Sequence, residues 1–235
     1  MNWSVLYRGD RIELYYKEKS RGSYKLLKKP YCDICSSPLA NGSTCSWTHT
    51  HPTFAKRIYA MGYYKPTNSY RRSGEADVLS QHIYYAKRNI WKGEPLGLAI
   101  AECIKNRYPE LLKFDFLVAI PRYKTEYHED EDSGEPFNPT DILAKWINHG
   151  TGIPIITPLE KTREQKMKEL SLLERKQKAR GLYQYVPSPV KDKSILLIDD
   201  VSTSSSTIDE CAKILVRNGG ARKVCGFVCG KNDPD

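Results

Sequence analysis

Asp199 and Asp200 stand side by side in "SILLIDDVSTSSSTIDECAKILVRNGG", residues 194–220, and a run of hydroxyl residues from Ser202 to Thr207 follows them. Carboxylates accept hydrogen bonds from vicinal sugar hydroxyls, whereas alcohols and main-chain amides at a helix start can surround a phosphate dianion. The two jobs must be kept apart, because two carboxylates at contact distance would repel a phosphate. The order of groups therefore fits a ribose phosphate. Asp199 and Asp200 would face the sugar, and Ser202, Thr203, Ser204, Ser205, Ser206 and Thr207 would surround the phosphate. A buried strand ending in an acid and a Ser- or Thr-capped helix is commonplace, but it accounts for one acid and one hydroxyl rather than for the run.

A second cluster lies in "YCDICSSPLANGSTCSWTHTH", residues 31–51, where Cys32-x2-Cys35 is followed by Cys45, His49 and His51. Two cysteines at that spacing form a knuckle whose sulfurs point into one tetrahedral site, and a structural zinc takes four nitrogen or sulfur ligands. The expected set is Cys32, Cys35, Cys45 and His49, because three intervening residues suffice to bring an imidazole back; His51 is the alternative fourth ligand. Seven cysteines, three of them in one short segment, suit metal ligation in a reducing compartment better than a disulfide framework. Cys103, Cys211, Cys225 and Cys229 read as small, half-buried thiols. Zinc would stand in for the core that a module of about 30 residues cannot build. Tyr63, Tyr64, Tyr70, Arg71 and Arg72 could stack on a single strand, but packing between two modules is the stronger expectation.

The elements around these residues alternate. Residues 3–17 carry two aromatic and β-branched runs around Gly9-Asp10, a hairpin signal, and a basic, turn-rich stretch leads on to the cysteines. Apolar residues at helical spacing predict a helix over 75–91 ended by Gly93, and Pro95 opens another through about Arg107. "FDFLVAIPRY" is a short strand running into a loop. "NPTDILAKWINHG" is a helix with Asn138 as cap, Pro139 at its first position and Gly150 past its end. "IPIIT", the quoted strand and helix, and "KVCGFVCG" complete the series. This alternation predicts an α/β fold, a mostly parallel sheet flanked by helices, with a small N-terminal zinc-binding module. The divisions expected are 1–30 for the hairpin and basic linker, 31–72 for the zinc module and 73–235 for the main domain.

Hydrophobic residues make up 40% of the 235 positions, and no apolar stretch is long enough for a membrane span. The N-terminal residues have no secretory pattern, so a soluble, cytoplasmic protein without membrane association is expected. A formal charge of +9 favours anionic partners, phosphates and nucleic acid alike.

"ILLIDDVSTSSST" resembles the phosphoribosyl pyrophosphate signature of type I phosphoribosyltransferases, in which apolar residues lead to two acids, an apolar spacer and a Thr/Ser-Gly loop. The resemblance implies that Asp199 and Asp200 hold the ribose and that residues 202–207 bind the 5′-phosphate, with Val201 as spacer. Ser205 stands where that family usually has glycine. Beyond the loop, the chain is similar to the ComF group, which pairs an N-terminal zinc-binding segment with a phosphoribosyltransferase-like domain. "VAIPRYK" matches that group's turn toward pyrophosphate, which implies pyrophosphate binding by Pro121 and Arg122. "EPFNPTDILA" keeps Phe137 and Asn138 of its helix start, with Pro139 in place of glutamine. Gln165 and Arg175 match its polar segment, with Lys178 at its asparagine.

Two functions follow from the resemblance. The first is transfer of a phosphoribosyl group from Mg²⁺-bound phosphoribosyl pyrophosphate to a nitrogen acceptor; a nucleoside monophosphate is the other ligand implied. The second is a non-catalytic accessory of the competence and DNA-uptake type, sensing a ligand or processing DNA with single-stranded DNA or a helicase as partner. A homodimer is compatible with either. A dinucleotide site is discounted, because no glycine-rich fingerprint follows a first strand.

Overall fold

Residues 195–198 and 224–229 offer no polar face, the pattern of parallel strands covered on both sides. The computed structural model describes residues 3–39, 45, 51–65, 77–164 and 181–232. Three antiparallel strands come first, β1 (Trp3–Tyr7), β2 (Arg11–Tyr16) and β3 (Lys19–Lys25). The expected hairpin around Gly9-Asp10 is present, with Trp3 opposite Tyr16 and Tyr7 opposite Ile12. The stretch expected to be turn-rich instead supplies β3, an edge strand in which only Tyr24 is buried.

Next come β4 (Ile58–Tyr64), α1 (Val78–Ala86), α2 (Ile90–Arg107), β5 (Phe116–Ala119), and the short hairpin of β6 (His128–Glu129) and β7 (Pro136–Phe137). The chain continues through α3 (Pro139–Thr151), β8 (Leu159–Lys161), β9 (Tyr183–Tyr185), β10 (Ser194–Ser202), α4 (Ser206–Arg217) and β11 (Lys223–Asn232). The main sheet runs β4-β11-β10-β5 with every neighbour parallel. "IPIIT" adds a single bridge from Ile155 to Leu117 rather than a strand.

Side-chain alternation along β10 divides the core. Leu196 and Ile198 pack with Ile100, Ile104 and Ile147 on the side of α2 and α3, where Ile12, Leu14 and Tyr24 of the N-terminal sheet join them. Ile195 and Leu197 pack with Ile208, Leu215 and Leu182 on the other. Tyr64 packs against the first cluster and Tyr63 against the second; Tyr70, Arg71 and Arg72 lie outside the described residues, as do Gln165, Arg175 and Lys178.

The helix boundaries differ from the sequence pattern. The first helix ends at Ala86, and α2 begins at Ile90 and carries Gly93 and Pro95 inside it. Gly93 and Gly97 serve close packing: a Cβ at Gly93 would meet Ile142 Cγ2 at 2.6 Å, and one at Gly97 would meet Trp146 Cβ at 2.5 Å. Asn138 caps α3 and accepts from the Thr140 amide as expected, but Gly150 is helical and the left-handed end residue is Gly152.

Candidate functional site

β10 carries both acids to the carboxyl edge of the sheet, where ligands of open α/β sheets bind. Adjacent strand residues face opposite ways, so Asp200 follows Leu196 and Ile198 while Asp199 follows Ile195 and Leu197. Asp200 is buried. Its Oδ2 meets Lys87 Nζ at 3.0 Å and Arg122 Nη2 at 3.1 Å, and its Oδ1 accepts from the Val201 amide at 2.6 Å. Burial works against the charged carboxylate, but Lys87 and Arg122 outweigh it and hold the group down at about 2. Asp199 Oδ1 accepts from the Asp200 amide at 2.9 Å. Burial and the charge of Asp200 push the Asp199 carboxyl up to about 7.

Each cation has its own support. Ile120 closes β5, and its carbonyl accepts from Thr140 Oγ1 at 2.8 Å and Asn138 Nδ2 at 3.3 Å. The start of α3 thus fixes Pro121 and Arg122 at the sheet edge. Arg122 Nη1 also lies 3.3 Å from His128 Nε2. Lys87 occupies the break between α1 and α2, and the β6–β7 hairpin clamps that break. Asp130 Oδ2 accepts from the Ile90 amide at 2.6 Å, Asn89 Nδ2 donates to Asp132 Oδ2 at 2.8 Å, and the Glu131 amide donates to Arg88 O at 2.8 Å.

The hydroxyl run divides into an inner and an outer set. Ser202 and Ser205 are buried, Ser204, Ser206 and Thr207 are half-buried, and Thr203 is exposed. The Ser202 and Ser205 oxygens lie 3.3 Å apart, and those of Ser204 and Ser206 3.0 Å apart. Ser205 precedes α4 with φ of 63°, in the left-handed region that favours glycine, at a cost of about 1–2 kcal/mol for a residue with a Cβ. Beneath the loop, Lys231 of β11 is 1% exposed. Its Nζ donates to Thr203 O at 2.9 Å and Ser205 Oγ at 3.3 Å, with Ser202 Oγ at 3.5 Å. Burial pushes this ammonium down to about 8, against the field of the Cys35, Cys45 and Cys32 sulfurs.

Those sulfurs form the second centre. Cys32, Cys35, Cys45 and His51 place one ligand atom each within 4.8 Å of one another. Cys32 Sγ lies 3.2 Å from His51 Nε2, and Cys35 Sγ 3.3 Å from Cys45 Sγ. A tetrahedral zinc with sulfur bonds of about 2.3 Å holds its ligand atoms roughly 3.8 Å apart, so this set fits zinc with small adjustment. The Ile34 amide donates to Cys32 Sγ at 3.4 Å. Although burial opposes the thiolate, the Cys35 and Ile34 amides bring Cys32 down to about 7. His51 supplies the imidazole here; His49 lies outside the described residues. The knuckle rests on β4, where the Ile58 amide donates to Ile34 O at 2.7 Å and Ser36 Oγ to Ile58 O at 2.7 Å.

A cavity of about 420 Å³ separates residues 51–54 from α4, with His51, Phe54, Ser204, Ser206, Lys213 and Arg217 in its walls. Ser204, Ser205 and Ser206 of the hydroxyl run line it, whereas Asp199, Asp200 and Arg122 do not. Asp209 Oδ1 joins its two sides by accepting from the Phe54 amide at 2.6 Å and the Ala55 amide at 3.1 Å.

The structure thus brings Arg122 to Asp200 and the hydroxyl run to the start of α4, and it adds Lys87, His128 and Lys231, which the sequence pattern did not single out. Lys231 left one signal, a cation at the end of an apolar central strand. Lys87 left none, because its partner Asp200 is over a hundred residues away.

No family model matches the chain. It is 25% identical over 204 residues to the "DNA utilization protein YhgH" of Salmonella typhimurium, covering 84% of this chain and 83% of that one. It is 27% identical over 207 residues to the protein of that name from Escherichia coli K12, covering 86% and 84%. Among solved structures, a purine phosphoribosyltransferase from Pyrococcus horikoshii aligns at a TM-score of 0.36 and 14% identity, over 62% of this chain and 86% of that one. A phosphoribosylpyrophosphate synthetase from Mycobacterium smegmatis aligns at 0.34 and 19% identity over 59% of this chain, which spans only 34% of the synthetase.

Proposed function

We propose that this chain binds phosphoribosyl pyrophosphate with Mg²⁺ at the carboxyl edge of the sheet and transfers the phosphoribosyl group to a nitrogen acceptor. The observation that carries the reading is the joining of a hydroxyl-rich helix start to an acid pair whose inner member is held by Arg122 at 3.1 Å. In this reading the outer hydroxyls and the amides opening α4 grip the 5′-phosphate. Asp199 and Asp200 accept from the ribose hydroxyls and fix its orientation, while Arg122 and the amides after β5 hold the diphosphate. A nitrogen lone pair forms the bond to the anomeric carbon as the carbon–oxygen bond breaks, and the diphosphate leaves with both electrons. Asp200 Oδ2 is already committed to Lys87 and Arg122, so the residues fit a metal carried in on the diphosphate. Mg²⁺ supplies charge neutralisation of that leaving group when bound.

In the same reading residues 31–72 are a structural zinc module, 73–235 are the ligand-binding domain, and the protein is cytoplasmic. Among the described residues, no helix is long and apolar enough to cross a membrane.

A second reading is a non-catalytic protein that senses the ligand or serves DNA processing. It is favoured by Ser205 in the left-handed position and by the name "DNA utilization protein" borne by relatives that match over most of their length. Single-turnover pyrophosphate release, measured across a panel of bases and amines, tests the first reading. Release with one acceptor and its loss in Arg122→Ala support transfer. Ligand binding with no release from any acceptor leaves the second.

A further inference from the structure

The edge at which the four parallel strands begin is rich in cations. A cleft of about 510 Å³ opens there, with Lys56, Lys113, Arg222 and Lys223 in its walls, together with the buried Phe114 and Ser194 and, among the described residues, a single carboxylate, Glu110. Lys56 precedes β4, Arg222 and Lys223 open β11, Ser194 opens β10, and Lys113 ends the 3₁₀ helix Pro109–Lys113 that leads to β5. All four cations are exposed, and among the described residues none of them is in an ion pair. Glu110 is engaged by Tyr59, whose hydroxyl donates to its Oε1 at 3.3 Å. Asp115, next to Phe114, is already taken: it accepts from Lys193 Nζ at 3.1 Å and from the Ser194 amide at 2.8 Å. The positive charge of the cleft is therefore left for a ligand to neutralise.

Helix dipoles do not account for these cations. A cation serves a dipole from the last turn of its helix, and α2 has Lys105 and Arg107 there and α4 has Arg217, whereas Lys56, Arg222 and Lys223 belong to no helix. Two of the four are held in place: Arg222 Nη2 donates to Ser194 Oγ at 3.1 Å, and Lys223 Nζ lies 5.1 Å from the centre of the Phe114 ring. The order β4-β11-β10-β5 spreads the charges along the edge instead of gathering them at one point. Lys56 and Lys113 are three interstrand steps apart, roughly 14 Å, and one strand of nucleic acid places about four phosphates over that distance. Phe114 is buried, so the cleft offers no ring on which a base could stack. We propose that this amino edge is a nucleic-acid surface, on which Lys56, Lys113, Arg222 and Lys223 seat the sugar–phosphate backbone of a strand without reading its bases. The acid pair lies toward the other end of β10, a nine-residue strand of roughly 27 Å, so the inference does not rest on the ligand reading of that end.

The test is fluorescence anisotropy of a labelled mixed-sequence oligonucleotide, single-stranded and as its duplex, with the full chain over a series of salt concentrations. The wild type binds both forms, and log Kd rises with the logarithm of salt concentration at a slope of about 3–4, as four phosphate contacts require. Arg222→Glu combined with Lys223→Glu weakens binding at least tenfold and lowers the slope by about 2. Lys56→Gln combined with Lys113→Gln lowers the slope by about 2 as well, and decides alone if the first variant does not fold. Lys17→Glu combined with Arg21→Glu makes the same change in net charge at exposed positions of the N-terminal sheet and keeps wild-type affinity. No binding by the wild type, wild-type affinity and slope in both edge variants, or an equal loss in the Lys17 and Arg21 variant overturns the inference. So does displacement of the oligonucleotide by tripolyphosphate or poly-glutamate at an equal concentration of charges, which would make the cleft a site for any polyanion.

Discussion

Arg122 donates to Asp200 Oδ2 at 3.1 Å, and Lys87 approaches the same oxygen at 3.0 Å. One carboxylate therefore gathers two cations from distant parts of the chain to a single point at the end of β10. Asp200→Asn leaves those cations facing each other without compensation. Both are partly exposed, at 26% and 19% of their side chains, so the full penalty for breaking a buried pair is not reached. The expected loss is about 1–3 kcal/mol, read from the midpoint of urea unfolding against wild type. An unchanged midpoint would show that the pairing contributes nothing to the fold.

The acid pair also sets a pH dependence. Asp200 sits below its ordinary value of 3.8, so its contribution is present above about pH 4 and is lost as the pH falls through about 2. Asp199 behaves in the opposite sense. With its carboxyl raised to about 7, the folded state retains a proton that the unfolded chain has released, so stability declines from about pH 4 to pH 7 and then levels. Asp199→Asn should flatten that decline and raise the melting temperature at pH 8 by about 2 °C or more. An identical slope in the variant would show that another group is responsible.

Ser205 separates two local effects. Ser205→Ala keeps the left-handed cost and removes the hydroxyl that lies 3.3 Å from Lys231, whereas Ser205→Gly removes both. The glycine variant should therefore be more stable than the alanine variant by about 1 kcal/mol. Equal unfolding midpoints would mean that the backbone at this position is not strained.

The knuckle is open to direct assay. Freshly purified protein should carry one equivalent of zinc, and Cys32→Ser should lose it together with cooperative unfolding. His51→Ala should weaken metal retention at least tenfold. Retention unchanged in His51→Ala would return the fourth position to His49.

The four parallel strands differ in how plainly the sequence marks them. β10 and β11 are continuous apolar runs because both faces are covered, and the hydroxyl run gave the start of α4 directly. β3 was hidden because "KSRGSYK" buries only Tyr24 and shows no alternation. The break at 87–89 was hidden for a different reason. Apolar spacing continues through it, and the group that caps α2 is Asp130, forty residues downstream. Lys231 and Lys87 owe their positions to strand register and to a remote hairpin, which no local window contains. Cys32, Cys35 and Cys45 were legible from spacing alone, whereas His49 and His51 are two residues apart and spacing could not decide between them.

The central claim is that a sugar diphosphate is gripped where β10 meets α4. Isothermal titration of phosphoribosyl pyrophosphate with Mg²⁺ into the wild type and Asp200→Asn tests it most directly. Saturable binding at one site per chain, abolished or weakened at least tenfold in the variant, is the predicted result. No heat of binding at millimolar ligand, or equal affinity in both proteins, would contradict it.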